Sequence, residues 1–235
     1  MKPTAFMKKM IPLYLLICGV FIITAHLGSK AVNTWIVNEP ILRQNIVIID
    51  AGHGGEDGGA TSCTGILESK LNLDIALRLN DLIHFLGNET YMIRTTDTAI
   101  YTEGNSLSQK KVSDLKERVR IVNESEGGIL VSIHQNTFSD PRYSGAQVFF
   151  GSAEGSRELA NSMQAAFAAT VNPGSNRQCK SATGIYLMQH VKRPAVLIEC
   201  GFLSSPEEEA KLRDAEYQKS ICAVIATSLS FYLAS

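Results

Sequence analysis

Three short apolar runs each end on a side chain able to do chemistry, and this pattern constrains the chain more than any other feature. Ile46-Val47-Ile48-Ile49 leads into Asp50-Ala51-Gly52-His53, residues 129–133 lead into His134, and Ala195-Val196-Leu197-Ile198 leads into Glu199. Apolar runs of this length without regular polar alternation read as strands buried on both faces, the habit of sheets covered by helices on either side. In mostly parallel sheets of that kind, functional groups collect at the carboxyl edge. Core packing alone gives no reason for three strands to deliver His, His and Glu to one edge.

The segments between these runs fit a single α/β domain. Leu71, Ile75, Leu79, Leu82 and Leu86 recur at helical spacing, with Gly87 as a stop. Residues 90–93 and 146–150 read as strands, and residues 114–123, 158–169 and 217–232 as helices. Leu115, Val119 and Val122 share one face of the helix over 114–123. Ser205-Pro206 with Glu208 three residues after the cap predicts a capping box. Glu68 stands just before the first helix, which must start near the top of the first strand, so it can reach the same edge.

Charge divides the chain. Residues 1–30 hold Lys2, Lys8, Lys9 and Lys30 and no acid. Removing these four from the 22 basic residues leaves 18 against 23 acids, a net of −5 for the rest. An acidic body without a basic cluster argues against a nucleic-acid partner, whose phosphates need Lys and Arg. The basic N-terminus precedes an apolar run over residues 11–25, which reads as an export signal that sends the body across a membrane. No small-x-small cleavage site follows, so the expectation is an uncleaved signal-anchor over 1–30, a linker over 31–45 and a catalytic domain over 46–235. The protein is then extracytoplasmic and membrane-anchored, or secreted if the segment is cut. Cysteines 18, 63, 179, 200 and 222 form no CxxC pair and suggest neither a disulfide framework nor a cysteine metal site.

Two histidines and a carboxylate are a recurrent catalytic zinc set that leaves a fourth position for water. Zinc lowers the pKa of that water to about 7, and a second carboxylate can carry its proton to the leaving group. The assignment is His53, Glu68 and His134 as ligands and Glu199 as acid/base. Each residue alone has an ordinary structural reading. His53 could be a loop residue, Glu68 a first-turn acid favoured by the helix dipole, His134 a cap and Glu199 a buried ion-pair partner. It is their convergence that favours the metal. His26, His84 and His190 have no such context, His84 lying in the first helix and His190 in a loop.

The loop Gly52-His-Gly-Gly-Glu-Asp-Gly-Gly59 superficially suggests a dinucleotide fingerprint, but the third glycine would fall at Asp57. Its glycines are expected to let the backbone curl around a bound ion.

Residues 48–60 (IIDAGHGGEDGGA), Leu67-Glu68, Ser132-Ile-His-Gln-Asn136 and residues 198–204 (IECGFLS) resemble the zinc-dependent N-acetylmuramoyl-L-alanine amidases of the Amidase_3 type. Weaker matches pair Arg94 with Asp97, and Leu115 and Arg118 with Asn123. The resemblance runs from residue 46 to about 232. It implies a mixed, mostly parallel sheet of about six strands flanked by helices on both faces. It also implies zinc on His53, Glu68 and His134, a catalytic Glu199 and peptidoglycan as substrate.

A lone catalytic domain behind one anchor is similar to the spore-cortex branch of the family. There, removal of the peptide prepares muramic acid for conversion to muramic-δ-lactam by a partner deacetylase. Gln135, at a position where small residues are common, and Ser205, in place of a frequent Asn, are departures expected to touch none of the four key groups. Only residues 137–144 separate Asn136 from Gly145, too few for the self-blocking helix of some relatives. Control would then fall to expression, zinc supply or a protein activator. The competing readings are a zinc peptidase that trims the stem peptide and a non-catalytic wall-binding scaffold.

Overall fold

A computed structural model describes residues 46–125 and 127–234. The segment expected to be a signal-anchor and linker, residues 1–45, lies outside the described residues. Among those described, no helix is long and apolar enough to cross a membrane.

Six strands form one sheet: β1 (Val47–Ala51), β2 (Thr90–Met92), β3 (Ile129–Asn136), β4 (Gln147–Phe150), β5 (Lys180–Ser181) and β6 (Ala195–Phe202). Their order is β2-β1-β3-β6-β4-β5. All neighbours are parallel except β4, which runs antiparallel to β6. Among the described residues six helices accompany them: α1 (Glu68–Phe85), α2 (Leu107–Glu124), α3 (Ser156–Ala169), α4 (Tyr186–His190), α5 (Pro206–Arg213) and α6 (Ala215–Leu233).

Side-chain alternation along the strands builds a core on each face. Val47, Ile49, Val131, Ile133, Val196 and Ile198 pack with Ile75 and Leu79 of α1, Phe167 of α3 and Ile225 of α6. Ile48, Leu130 and Leu197 face the other way, toward Val122 of α2 and Met188 of α4. This two-sided burial is why the strands read as continuous apolar runs. Phe167 is fully buried, and truncating it to Ala should cost about 3–5 kcal/mol.

Several expectations shift in detail. The helix predicted over 114–123 starts at Leu107, because Ser106 and Gln109 form a reciprocal capping box. The stripe of α1 uses Ile83, which is buried, whereas Leu86 lies past the end of the helix and is exposed. His190 closes α4 rather than lying in a loop. At α5, Ser205 Oγ accepts from the Glu208 amide, but the Glu208 carboxylate turns to the Gly145 amide, 2.7 Å away, so only half of the expected box forms. Strands β3 and β6 also run on past His134 and Glu199 to Asn136 and Phe202.

Candidate metal centre

The strand order places a topological switch between β1 and β3. The chain leaving β1 passes through α1 to β2 on one side, while the chain leaving β3 continues toward β4 on the other. A crevice opens at the carboxyl edge where two such paths diverge. His53 follows β1 into it, His134 lies near the end of β3, and Glu68 opens α1. On the adjacent strand, Glu199 is the register partner of His134. All four predicted residues thus converge on one edge.

Their contacts are close. His53 Nε2 is 3.3 Å from Glu68 Oε2, and His134 Nδ1 is 3.1 Å from Glu68 Oε1. The rings of His53 and His134 meet edge to face at 5.0 Å. One donor atom from each of His53, Glu68 and His134 lies within 4.8 Å of the others, a group that could hold a metal ion. Two histidines and a carboxylate are donors that zinc takes in catalytic sites, so the set fits that ion in its chemistry.

The main chain fixes Glu68 before any ion is considered. Oε2 accepts from the Ala60 amide (3.0 Å), while Oε1 accepts from the Gln135 amide (3.1 Å) and from Asn72 Nδ2 (3.3 Å). Asn72 is held in turn by Gln135 Nε2 at 3.2 Å. Gln135 was expected to touch none of the key groups. It does touch Glu68, through its amide and through Asn72, because the strand runs on past His134 and presents that amide to the carboxylate.

His53 is the one non-glycine residue with positive φ (63°) among the described residues. Such a backbone is uncommon outside glycine, and at a candidate site it is a functional signal. Its Nδ1 lies 2.9 Å from Asp57 Oδ2, and Lys111 pairs with Asp57 at 2.7 Å. A carboxylate on the far ring nitrogen is how metal-binding histidines are commonly oriented. The glycines of the loop also have a more specific use than curling the chain. A Cβ on Gly52 would come within 2.1 Å of His134 Nε2, and one on Gly59 within 2.6 Å of Glu68 Oε2. They make room for the donors' side chains.

Charges follow from these contacts. Burial works against a charged His53, but the hydrogen bond and charge of Glu68, helped by Asp57, raise its pKa to about 9. Burial would raise Glu68, yet His134 and His53 hold it far below the usual carboxylate range. Glu199 goes the other way: burial, with the nearby Glu68 charge, lifts it to about 7 despite the two histidines. Its Oε2 is buried with no hydrogen-bond partner. Buried polar atoms are normally paired, so an orphan beside a donor cluster calls for a chemical reason.

Two arginines, named above only as weaker family matches and given no role there, hold the loop. Arg94 donates to the carbonyls of Ala51 (2.7 Å), Gly52 (3.1 Å) and Ser69 (2.8 Å). Arg118 binds the Asp50 carboxylate and donates to the His53 carbonyl at 2.9 Å, while Ser132 Oγ donates to Asp50 at 2.6 Å. Position was the available signal: Arg118 falls on the stripe made by Leu115, Val119 and Val122, where an arginine must have a buried partner.

The family model described as N-acetylmuramoyl-L-alanine amidase, Amidase_3, matches residues 47–230. The germination-specific N-acetylmuramoyl-L-alanine amidase of Bacillus subtilis is 36% identical over 81% of this chain and 81% of its own length. The amidase LytC of the same organism is 30% identical over 87% of this chain but only 39% of its own. Among solved structures, the CwlD amidase of Clostridioides difficile, in complex with the GerS lipoprotein, superposes with a TM-score of 0.77. It is 36% identical, with 81% of this chain and 98% of that one covered.

Proposed function

The chain belongs to the Amidase_3 family of N-acetylmuramoyl-L-alanine amidases, and on that footing we propose that it is a zinc hydrolase with His53, Glu68 and His134 as ligands and Glu199 as general acid/base. The family assignment makes it an enzyme that acts on peptidoglycan, at the amide joining N-acetylmuramic acid to L-alanine. The observation that carries the mechanism is the pairing of a three-donor cluster with a buried carboxylate that has no other partner.

When bound, zinc supplies Lewis-acid activation of water and of the amide carbonyl. The residues supply the rest. Asp57 holds the far nitrogen of His53, leaving Nε2 directed at Glu68 and the site. Ala60, Gln135 and Asn72 fix both oxygens of Glu68, so this ligand cannot swing away. Glu199, a buried carboxylate beside the donors with no other partner, would take a proton from water and return it to the departing alanine nitrogen. Its neighbours provide no competing hydrogen bond.

The proposal extends to location and biological role. Residues 1–30 would be a signal-anchor and 31–45 a linker, with the catalytic domain acting outside the cytoplasm. The proposed role is in the spore cortex, where peptide removal would precede muramic-δ-lactam formation by a deacetylase; the likeness to the germination-specific amidase of Bacillus subtilis supports it. The complex of CwlD with GerS favours a protein partner here as well. Mass spectrometry of digested peptidoglycan, with metal analysis of the enzyme, tests the reaction. Release of an intact stem from muramic acid is expected; a shortened stem still attached to the sugar would make it a peptidase, and no product a scaffold.

A further inference from the structure

A groove of about 1010 Å³ lies beyond the carboxyl ends of β3 and β6, lined among others by Asp140, Arg142, Asn172, Arg177, Glu207 and Lys211. Two of its lining residues, Arg177 and Tyr143, meet Phe202, whose ring lies 5.1 Å beneath the Arg177 guanidinium and 6.1 Å from the Tyr143 ring. Phe202 follows Glu199 by three residues on the same strand. At a rise of about 3.3 Å per residue Phe202, which backs Arg177, therefore lies about 10 Å along the strand from Glu199. An extended peptide spans about 3.3–3.6 Å per residue, so it covers that distance in about three residues.

The cations of the groove are not equivalent. Arg142 is paired with Asp140 at 2.6 Å and Lys211 with Glu207 at 2.7 Å. Arg177 has no carboxylate partner among the described residues, yet it is not free to wander. Its Nε donates to the Ser144 carbonyl at 3.1 Å and its Nη1 to Gln147 Oε1 at 3.4 Å, while Phe202 backs its plane. Nη2 makes no hydrogen bond among the described residues. An oriented, half-buried guanidinium with an open edge is built to receive a carboxylate.

We propose that this groove binds the peptide stem of the substrate and that Arg177 receives a stem carboxylate. The inference rests on the amidase reading above. The stem runs from the scissile alanine nitrogen through an acidic residue to a diamino acid, so it carries carboxylates and an amine. Arg177 meets the first.

The test titrates the full chain, wild type, Arg177→Ala and Arg177→Lys, with the free tripeptide L-alanyl-γ-D-glutamyl-diaminopimelate and with its amidated form. Binding of the free acid should weaken about tenfold or more in Arg177→Ala and less in Arg177→Lys, in line with loss of a charge-assisted pair. The amidated peptide should bind wild type as poorly as the acid binds Arg177→Ala. Equal binding by wild type and Arg177→Ala, or no preference of wild type for the acid, would overturn the proposal. With the muramyl tripeptide as substrate, KM should rise in Arg177→Ala at unchanged kcat. A fall in kcat at unchanged KM would mean that Arg177 only braces Ser144 and Gln147, and would sink the idea. If Arg177→Ala does not fold, Arg177→Lys and the amidated peptide decide the matter. Tripeptide binding that depends on Arg177, in an enzyme that cleaves no muramyl peptide, would support the groove and refute the amidase mechanism.

Discussion

His134 and Glu199 sit opposite each other in register across β3 and β6. Side chains at paired positions of parallel strands project to the same face, so the sheet itself holds a candidate ligand beside a candidate base. Neither depends on a flexible loop for its position.

That relationship separates metal retention from chemistry. Glu199→Gln keeps the side-chain size but cannot take a proton from water. Turnover on muropeptide should fall by about 10²–10⁴-fold, with zinc content and melting temperature near those of wild type. A variant that cleaves at the normal rate, or that loses its zinc, would show that the role is misassigned.

Removal of a ligand should act first on the metal. His53→Ala and His134→Ala should each purify with little zinc, measured by plasma emission after dialysis, because two remaining donors hold the ion poorly. Near-stoichiometric zinc in either variant would overturn the ligand set.

Zinc affinity should depend on pH in a defined direction. His53 in the metal-free chain binds a proton up to about pH 9, held by Glu68 and Asp57 against the cost of burial. A metal must displace that proton. Apparent affinity should therefore rise about tenfold per pH unit between pH 6 and 8, as read by chelator competition. A flat profile would contradict it.

Gly52→Ala should disturb the centre without touching a donor. The new methyl would sit 2.1 Å from His134 Nε2, forcing the imidazole away from Glu68. Zinc affinity should drop at least tenfold while the fold persists by circular dichroism. Wild-type affinity in this variant would show that the ring can move without cost.

Beneath the loop, Asp50 should govern acid stability. It is buried, and burial alone would raise its pKa; Arg118, then Ser132, outweigh that and leave it below its ordinary value. A carboxylate with a depressed folded pKa adds stability that is fully present above its unfolded pKa and is lost as pH falls through the folded one. Asp50→Asn leaves Arg118 partly unpaired, at a cost of about 3–5 kcal/mol at pH 7. Urea melts at falling pH should show wild type approaching the variant as the medium becomes strongly acidic. A constant gap would exclude Asp50 as the source.

Much of this was legible in the residues. The buried runs of β1, β3 and β6 announced a covered sheet, and the residues beside their ends marked the edge where the donors meet. The parts that were missed depend on distant partners. Asn72 and Gln135 are unremarkable polar residues until the fold brings both to Glu68. The two residues of β5 and five of α4 are too short to show a period. Glu208 looked like a capping acid, and only the loop carrying Gly145 reveals why it turns elsewhere. Local pattern settles elements; side chains that bridge elements need the third dimension.

The grip of Ala60 and Gln135 on Glu68 has a thermodynamic consequence. Each amide belongs to a different stretch of chain, so the carboxylate is immobilised when the domain folds and not when an ion arrives. The ordering entropy of that ligand is then charged to folding, and little remains to be lost on coordination. Such a cage should empty and refill without unfolding, its occupancy set by the concentration of free ion around it.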